Sequence, residues 1–260
     1  MLAYSYNKRR CAPLSAGIML AALSFPCWAD DTPQAPQPDY TLTANVSLTS
    51  EYRYRGLMQS DGYPAVQGGV DFTHKSGFYL GNWDSSISWL SDGNSQITAP
   101  LEMDFYGGYR HNITSDLSYD VGALRYQYPG SYPSGVVSPN TTELYGALNY
   151  KFLTFKYSHA ISDLFGTANS QHSQYFDLSA NYDTGVWGLT VNSHVGYQYV
   201  RNLDDGSYWD WKLGLTKDFG QGWTASLAYL DTNANRSVYT NARGRYMGRA
   251  TGVLTVTKTF

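Results

Sequence analysis

The chain has 260 residues, with 18 lysines and arginines against 21 acids, a net charge of −3 and two cysteines. Its 24 tyrosines, seven tryptophans and 25 glycines sit in a sequence that is hydrophilic on average, a composition unusual for a soluble enzyme. No apolar run is long enough to cross a membrane as a helix, and no basic excess suggests nucleic acid as a partner.

Lys8, Arg9 and Arg10 precede an apolar run from Leu14 to Phe25 that ends in Cys27, Trp28 and Ala29. Positive charge, a short apolar stretch and small residues, in that order, predict a secretory signal over residues 1–29, cleaved before Asp30. Cys11 and Cys27 both fall inside it, and Phe25 and Pro26 make Cys27 a poor lipid attachment site. The mature chain is thus expected to carry no thiol and no disulfide. Removing residues 1–29 takes away three bases and no acids, so the net charge moves from −3 to −6. Residues 30–39 (DDTPQAPQPD) predict an extended, Pro-rich periplasmic leader.

From Tyr40 the chain divides into segments with period-two alternation, separated by turn-rich stretches. Leu42, Ala44, Val46 and Leu48 share one face of the first, and Thr43, Asn45, Ser47, Thr49, Glu51 and Arg53 the other. Val66, Val70 and Phe72 then oppose Gln67 and Asp71, and Tyr79, Trp83, Ile87 and Trp89 oppose Asn82, Asp84 and Ser86. Leu101, Met103 and Phe105 oppose Glu102 and Asp104; Leu117, Tyr119 and Val121 oppose Ser118 and Asp120. Leu144 and Leu148 oppose Glu143, and Phe155 and Tyr157 oppose Lys156. The last five segments carry their apolar faces on Phe176 and Leu178, Leu189 and Val191, Trp211 and Leu213, Leu227 and Tyr229, and Leu254 and Val256, which makes twelve.

Long connections (56–63, 91–100, 129–141, 162–173, 202–207 and 232–246) alternate with short ones (75–77, 111–116, 151, 183–185 and 220–222). An all-β, transmembrane, antiparallel up-and-down barrel with both ends in the periplasm requires this second alternation; a soluble sandwich does not. The barrel is expected over residues 40–260, in the outer membrane of a Gram-negative cell. Tyr52, Tyr54, Trp89, Tyr109, Tyr150, Trp209 and Trp223 stand near segment ends, where interfacial aromatic girdles form.

Charge is costly against lipid, so parity assigns the charged strand residues to the lumen. The expected pore lining is Glu51, Arg53, Arg55, Asp71, Asp84, Glu102, Asp104, Arg110, Asp120, Glu143, Lys156, Asp177, His194, Asp210 and Lys212. Nine acids against five bases imply a mild preference for cations, or else a paired network that plugs the barrel. Arg125 and Lys217 fall on the lipid-facing parity, which a bulge near Arg125 or snorkelling would reconcile. The 129–141 connection is a candidate inward constriction. Arg236, Arg243, Arg245 and Arg249 gather in or near the last long connection, where they could meet lipopolysaccharide phosphates or simply be solvated.

The stretch Asn45 to Trp89, above all SLTSEYRYRG (47–56), PAVQGG (64–69) and SGFYLGNW (76–83), resembles the TorF-type family of proteobacterial porins. That resemblance implies a porin fold and an outer-membrane location. The terminal Phe260, with Val256 and Leu254 at matching parity, is similar to the signal read by the barrel-assembly machinery. Lys258 and Asp84 depart from the pattern.

Together these readings predict a passive channel for small polar solutes, in contact with outer-membrane lipids and lipopolysaccharide. A plugged structural or surface-binding barrel, an enzyme with a site at the rim and a soluble periplasmic β-protein are the alternatives. No phosphate loop or serine elbow is present, and no cofactor is expected. His194, with Asp177 and Asp210 on neighbouring inward faces, is the best catalytic candidate, although such a cluster is more often structural. His74, His111, His159 and His172 have no metal-ligand spacing. Nothing in the sequence identifies a subunit interface.

Overall fold

The computed structural model describes residues 38–260; the expected signal (1–29) and the expected leader up to Gln37 lie outside them. Alternation along each segment produces strands with one apolar and one polar face. They are β1 (Tyr40–Thr49), β2 (Arg53–Tyr54), β3 (Leu57–Met58), β4 (Ala65–His74), β5 (Phe78–Ser86), β6 (Leu101–Asn112) and β7 (Leu117–Gln127). Then come β8 (Thr141–Tyr150), β9 (Leu153–Ala160), β10 (Gln174–Asp183), β11 (Leu189–Tyr199), β12 (Tyr208–Gly220), β13 (Trp223–Thr232) and β14 (Thr251–Thr259). Among the described residues one short helix, α1 (Trp89–Gly93), follows β5.

Twelve strands, all but β2 and β3, close into one antiparallel barrel in which each pairs with its neighbours in sequence. The seam joins β1 to β14, from Asn45↔Thr259 to Thr49↔Thr255. Short turns gather at one rim and long connections at the other, as the sequence predicts. Asp183 and Asp218 side chains accept hydrogen bonds from the Gly185 and Gly220 amides (2.9 and 2.7 Å), so these tight turns are closed by aspartates and completed by left-handed glycines.

The outer face is apolar: Leu42, Val66, Leu80, Leu144, Leu213 and Leu227 all stand exposed on it. At the short-turn rim it carries exposed aromatic rings, among them Tyr40, Phe78, Tyr150, Phe219, Trp223 and Phe260. Such a surface suits lipid rather than water.

Four expectations need correction. Glu51, Arg53 and Arg55 do not belong to the wall, because β1 ends at Thr49 and they lie in the connection that follows. In β5 the two faces are exchanged. Tyr79 pairs with inward Thr73, while Leu80 pairs with exposed Phe72, so Tyr79 and Trp83 point inward and Asn82 and Asp84 outward. Asp84 is therefore not pore-lining. It accepts a 2.9 Å hydrogen bond from Asn82 two residues from the strand's long-loop end, where water is near. Finally, β7 keeps unbroken register with β6 and β8, so no bulge turns Arg125 inward. Arg125 instead binds Thr142 Oγ1 (2.8 Å) along the outer surface near the same rim. Of the aromatic residues expected in girdles, Tyr52, Tyr54 and Trp89 belong instead to the inside of the mouth.

Candidate functional site in the barrel lumen

Residues 50–64 turn into the barrel mouth. There β2 and β3 form a minimal hairpin, Arg53↔Met58 and Tyr54↔Leu57, whose two tip residues are Arg55 (φ 46°) and Gly56 (φ 76°). Two successive left-handed residues make the turn that matches strand twist, and X-Gly is its sequence signature. A Cβ on Gly56 would lie 2.7 Å from Cβ of Asp210, so glycine lets the tip rest against β12.

The tip delivers Arg55 to the far wall. Its guanidinium donates to both carboxylate oxygens of Glu143 on β8 (3.0 and 2.7 Å) and to Gln198 Oε1 on β11 (2.7 Å), and it lies over the rings of Tyr175 and Tyr54. Burial works against the charge on Arg55, but Glu143, with Tyr54 and Tyr126, outweighs it and holds the guanidinium's pKa well above the ordinary arginine value. Tyr54 and Tyr126 share a hydrogen bond through their hydroxyls, and Tyr126 donates to Glu143 as well (3.2 Å). Nearer β1, Arg53 pairs with Glu51 at 2.8 Å and donates to the carbonyls of Gly56 and Met247. Burial lowers the pKa of Arg53, against the pull of Glu51.

An apolar core surrounds this hairpin on one side. Tyr52, Ile87, Leu90, Ile97, Tyr126 and Tyr128 are buried together, with Tyr132 and Val136 packed against them. The connections after β5 and β7 thus brace the first one. Of the 129–141 connection, the candidate inward constriction, Tyr132 and Val136 pack against the buried cluster beside the segment of residues 50–64. Tyr128 donates to Glu102 (3.0 Å), and Glu102 is only 1% exposed. Glu102 faces inward yet is covered.

Below the hairpin the wall repeats one device. Tyr79 lies over Gly108, Tyr106 over Gly81 and Tyr175 over Gly196, where an added Cβ would meet the ring or its hydroxyl at 2.6, 2.3 and 2.0 Å. Each hydroxyl ends on an aspartate: Asp120 (2.5 Å), Asp71 (2.6 Å) and Asp210 (3.0 Å). The glycine allows the ring to lie flat and the aspartate fixes it. Gly108 and Gly81 stand directly opposite Tyr79 and Tyr106, and Gly196 stands diagonally from Tyr175, so inward glycines near inward tyrosines are the sequence signal for this device.

Arg110 binds Asp120 (2.9 Å). His194 faces Asp177 through Nδ1 (2.8 Å) and Asp210 through Nε2 (2.7 Å), so its two expected neighbours do meet it. Asp177 also accepts from Ser179 (2.6 Å). Among the described residues Lys156 and Lys212 have no carboxylate within ion-pair distance, and the Lys156 ammonium sits 4.2 Å from the centre of the Tyr145 ring.

These side chains border several neighbouring cavities that share lining residues. A cavity of about 300 Å³ touches Arg53, Arg55, Lys156, His194 and Lys212; one of about 430 Å³ touches Tyr79, Asp104, Arg110, Asp120 and Lys156; a third, of about 340 Å³, touches Glu51, Trp83 and Lys212. On the other side of the hairpin an aromatic space of about 180 Å³ is lined by Trp89, Tyr128, Phe165, Tyr208 and Tyr239. It shares Tyr54 and Arg55 with the first cavity. Those two residues are the partition.

At the rim, Arg243 bridges Asp61 (3.3 Å) and Asp92 (3.0 Å), Arg245 donates to the Asp61 carbonyl (2.8 Å) and Arg249 approaches Glu51 (3.8 Å). Arg236 stacks on Tyr246. At the opposite rim the Phe260 amide donates to Ala44 (2.8 Å), and the Lys258 ammonium lies between the Phe260 and Trp223 rings.

The sequence matches one family's profile over residues 33–260. The chain belongs to the Gcw_chp family. That family is described as bacterial protein of unknown function. Among curated proteins none matches. Among solved structures, a KdgM porin superposes with a TM-score of 0.54 at 11% identity, covering 84% of this chain and 98% of the other. A KdgM porin in complex with disordered oligogalacturonate gives 0.52 at 10% identity, with 84% and 97% covered. The likeness is one of fold: a twelve-stranded, porin-like barrel.

Proposed function

We propose that this chain is an outer-membrane channel for passive diffusion of small hydrophilic solutes, narrowed at its external mouth by the hairpin of residues 53–58. The observation that carries this reading is the position of Tyr54 and Arg55 between an outer aromatic space and the polar chambers beneath. An apolar outer face with aromatic rings at one rim supports the membrane location. The TorF-type resemblance and the porin neighbours favour the same reading. Export follows from residues 1–29 acting as a cleaved signal and 30–39 as a periplasmic leader. Phe260, tied to Ala44 at the seam, is the proposed contact for the assembly machinery.

Eight inward carboxylates remain against five bases once Asp84 is placed outside. The resulting cation preference is weak, because Glu51, Glu143 and Asp120 each face an arginine and Glu102 is covered. Arg243, Arg245 and Arg249 first dock the last loop onto Asp61, Asp92 and Glu51; their exposed portions, with Arg236, are the proposed contacts for lipopolysaccharide phosphates. An enzymatic role for His194 is disfavoured, since both ring nitrogens are engaged by carboxylates and neither is free to accept a proton from a solute.

The deep burial of the Arg55–Glu143 pair favours one rival, a plugged barrel. Planar-bilayer recording of the refolded protein separates the two. Reproducible ion steps are expected of the channel, and a folded barrel that stays silent would overturn it.

A further inference from the structure

Both carboxylates that line the cavity beneath the hairpin already have partners. Asp177 is held by His194 and Ser179, and Asp210 by His194 and Tyr175; Glu143, outside the lining, is held by Arg55 and Tyr126. Arg53 and Arg55 are paired with Glu51 and Glu143, but two further cationic groups are not matched in the same way. Lys156 on β9 and Lys212 on β12 line this cavity with no carboxylate in ion-pair reach among the described residues.

Strand register places them on neighbouring levels of one wall. Lys156 stands opposite Asp177 across β9 and β10, and Lys212 opposite His194 across β11 and β12. Asp177 and Asp210 are drawn laterally onto the imidazole between them, which leaves the two ammonium groups to face the open space. Ser158 and the tyrosine hydroxyl of Tyr175 border the same space. Unpaired ammonium groups on a wall whose acids are satisfied attract an anion, and hydroxyls beside them suit one that carries hydroxyls of its own.

We infer that Lys156 and Lys212 form a binding subsite for a small hydroxylated carboxylate, of the size of one acidic sugar, on the inner side of the hairpin. A cavity of about 300 Å³ accommodates such a molecule. The inference rests on the channel reading for its meaning, as a station along the diffusion path, but the binding itself does not require conduction.

The test is calorimetric titration of the full barrel, refolded in detergent, with glucuronate and, separately, with glucose. Glucuronate is expected to bind and glucose to bind at least roughly tenfold more weakly. Lys156→Gln with Lys212→Gln should remove that difference, Lys212→Arg should keep it, and Lys75→Gln, at the short-turn rim, should leave it unchanged. Heat-modifiable migration on gels verifies that each variant is folded. A barrel that conducts ions but binds the two sugars equally, or whose double variant still prefers glucuronate, overturns the subsite and leaves the channel standing. A barrel that binds glucuronate through these lysines yet conducts nothing supports the subsite and overturns the channel instead.

Discussion

Arg55 and Glu143, 88 positions apart in sequence, meet through two parallel hydrogen bonds of 3.0 and 2.7 Å at the point where the first loop reaches the opposite wall. Both side chains are nearly inaccessible, 6% and 2% exposed. A two-point pair of this kind fixes orientation as well as distance. It sets where the tip of the hairpin stands in the lumen.

Arg55→Ala is expected to free the tip and raise single-channel conductance by roughly twofold or more. It should also leave Glu143 buried and unpaired, at a cost of about 3–5 kcal/mol. Arg55→Ala combined with Glu143→Gln should recover part of that stability while keeping the higher conductance. Bilayer recording and urea unfolding measure the two effects, and unchanged conductance in both variants would contradict the partition.

Gly196→Ala places a methyl group where the Tyr175 hydroxyl lies. The ring must leave the wall and its bond to Asp210, with an expected loss of about 1–3 kcal/mol. Conductance should fall, because a displaced ring occupies the lumen. Gly252→Ala, where nothing lies near the added carbon, is the control and should behave as wild type.

Asp84 offers a test of orientation. Since it faces outward, Asp84→Asn should leave the reversal potential in a salt gradient unmoved, whereas Asp177→Asn should shift it. At mid-strand on the same outer surface, Leu213→Arg should destabilise the barrel by about 2–4 kcal/mol in lipid. A shift on replacing Asp84 would return that residue to the lumen.

Asp61 and Asp92 hold Arg243 between them. Neutralising both as asparagine should loosen the last long loop, so that trypsin added to intact cells cuts after Arg243 or Arg245 several times faster than in wild type. Equal cleavage rates would mean that the loop is held by other contacts.

Much of the fold was legible because lipid and water impose opposite demands on alternate residues. Leu42 to Leu48 and Thr43 to Thr49 sort correctly for that reason, and so do the long and short connections. The reading failed where the inside is also aromatic. In FYLGNW, Phe78 and Leu80 compete with Tyr79 and Trp83 for the lipid face, and alternation alone does not choose between them. Hydrogen bonds from inward tyrosines to Asp120 and Asp71 do. The first loop was missed for another reason: alternation continues through Glu51 and Arg53, and their partners across the lumen are remote in sequence. His194 with Asp177 and Asp210 was legible, since neighbouring inward positions on three consecutive strands must meet.

The seam carries a consequence for how the protein is made. Every other barrel pairing joins strands that are consecutive along the chain, apart from the short β2 and β3, whereas Ser47 and Thr257, bonded across the seam, are 210 positions apart. A chain interrupted before Thr251 would leave β1 and β13 each with a bare edge, ready to pair with the wrong strand. Closure therefore serves as a check on the finished product: only a molecule that still possesses its last nine strand residues can hide both edges at once.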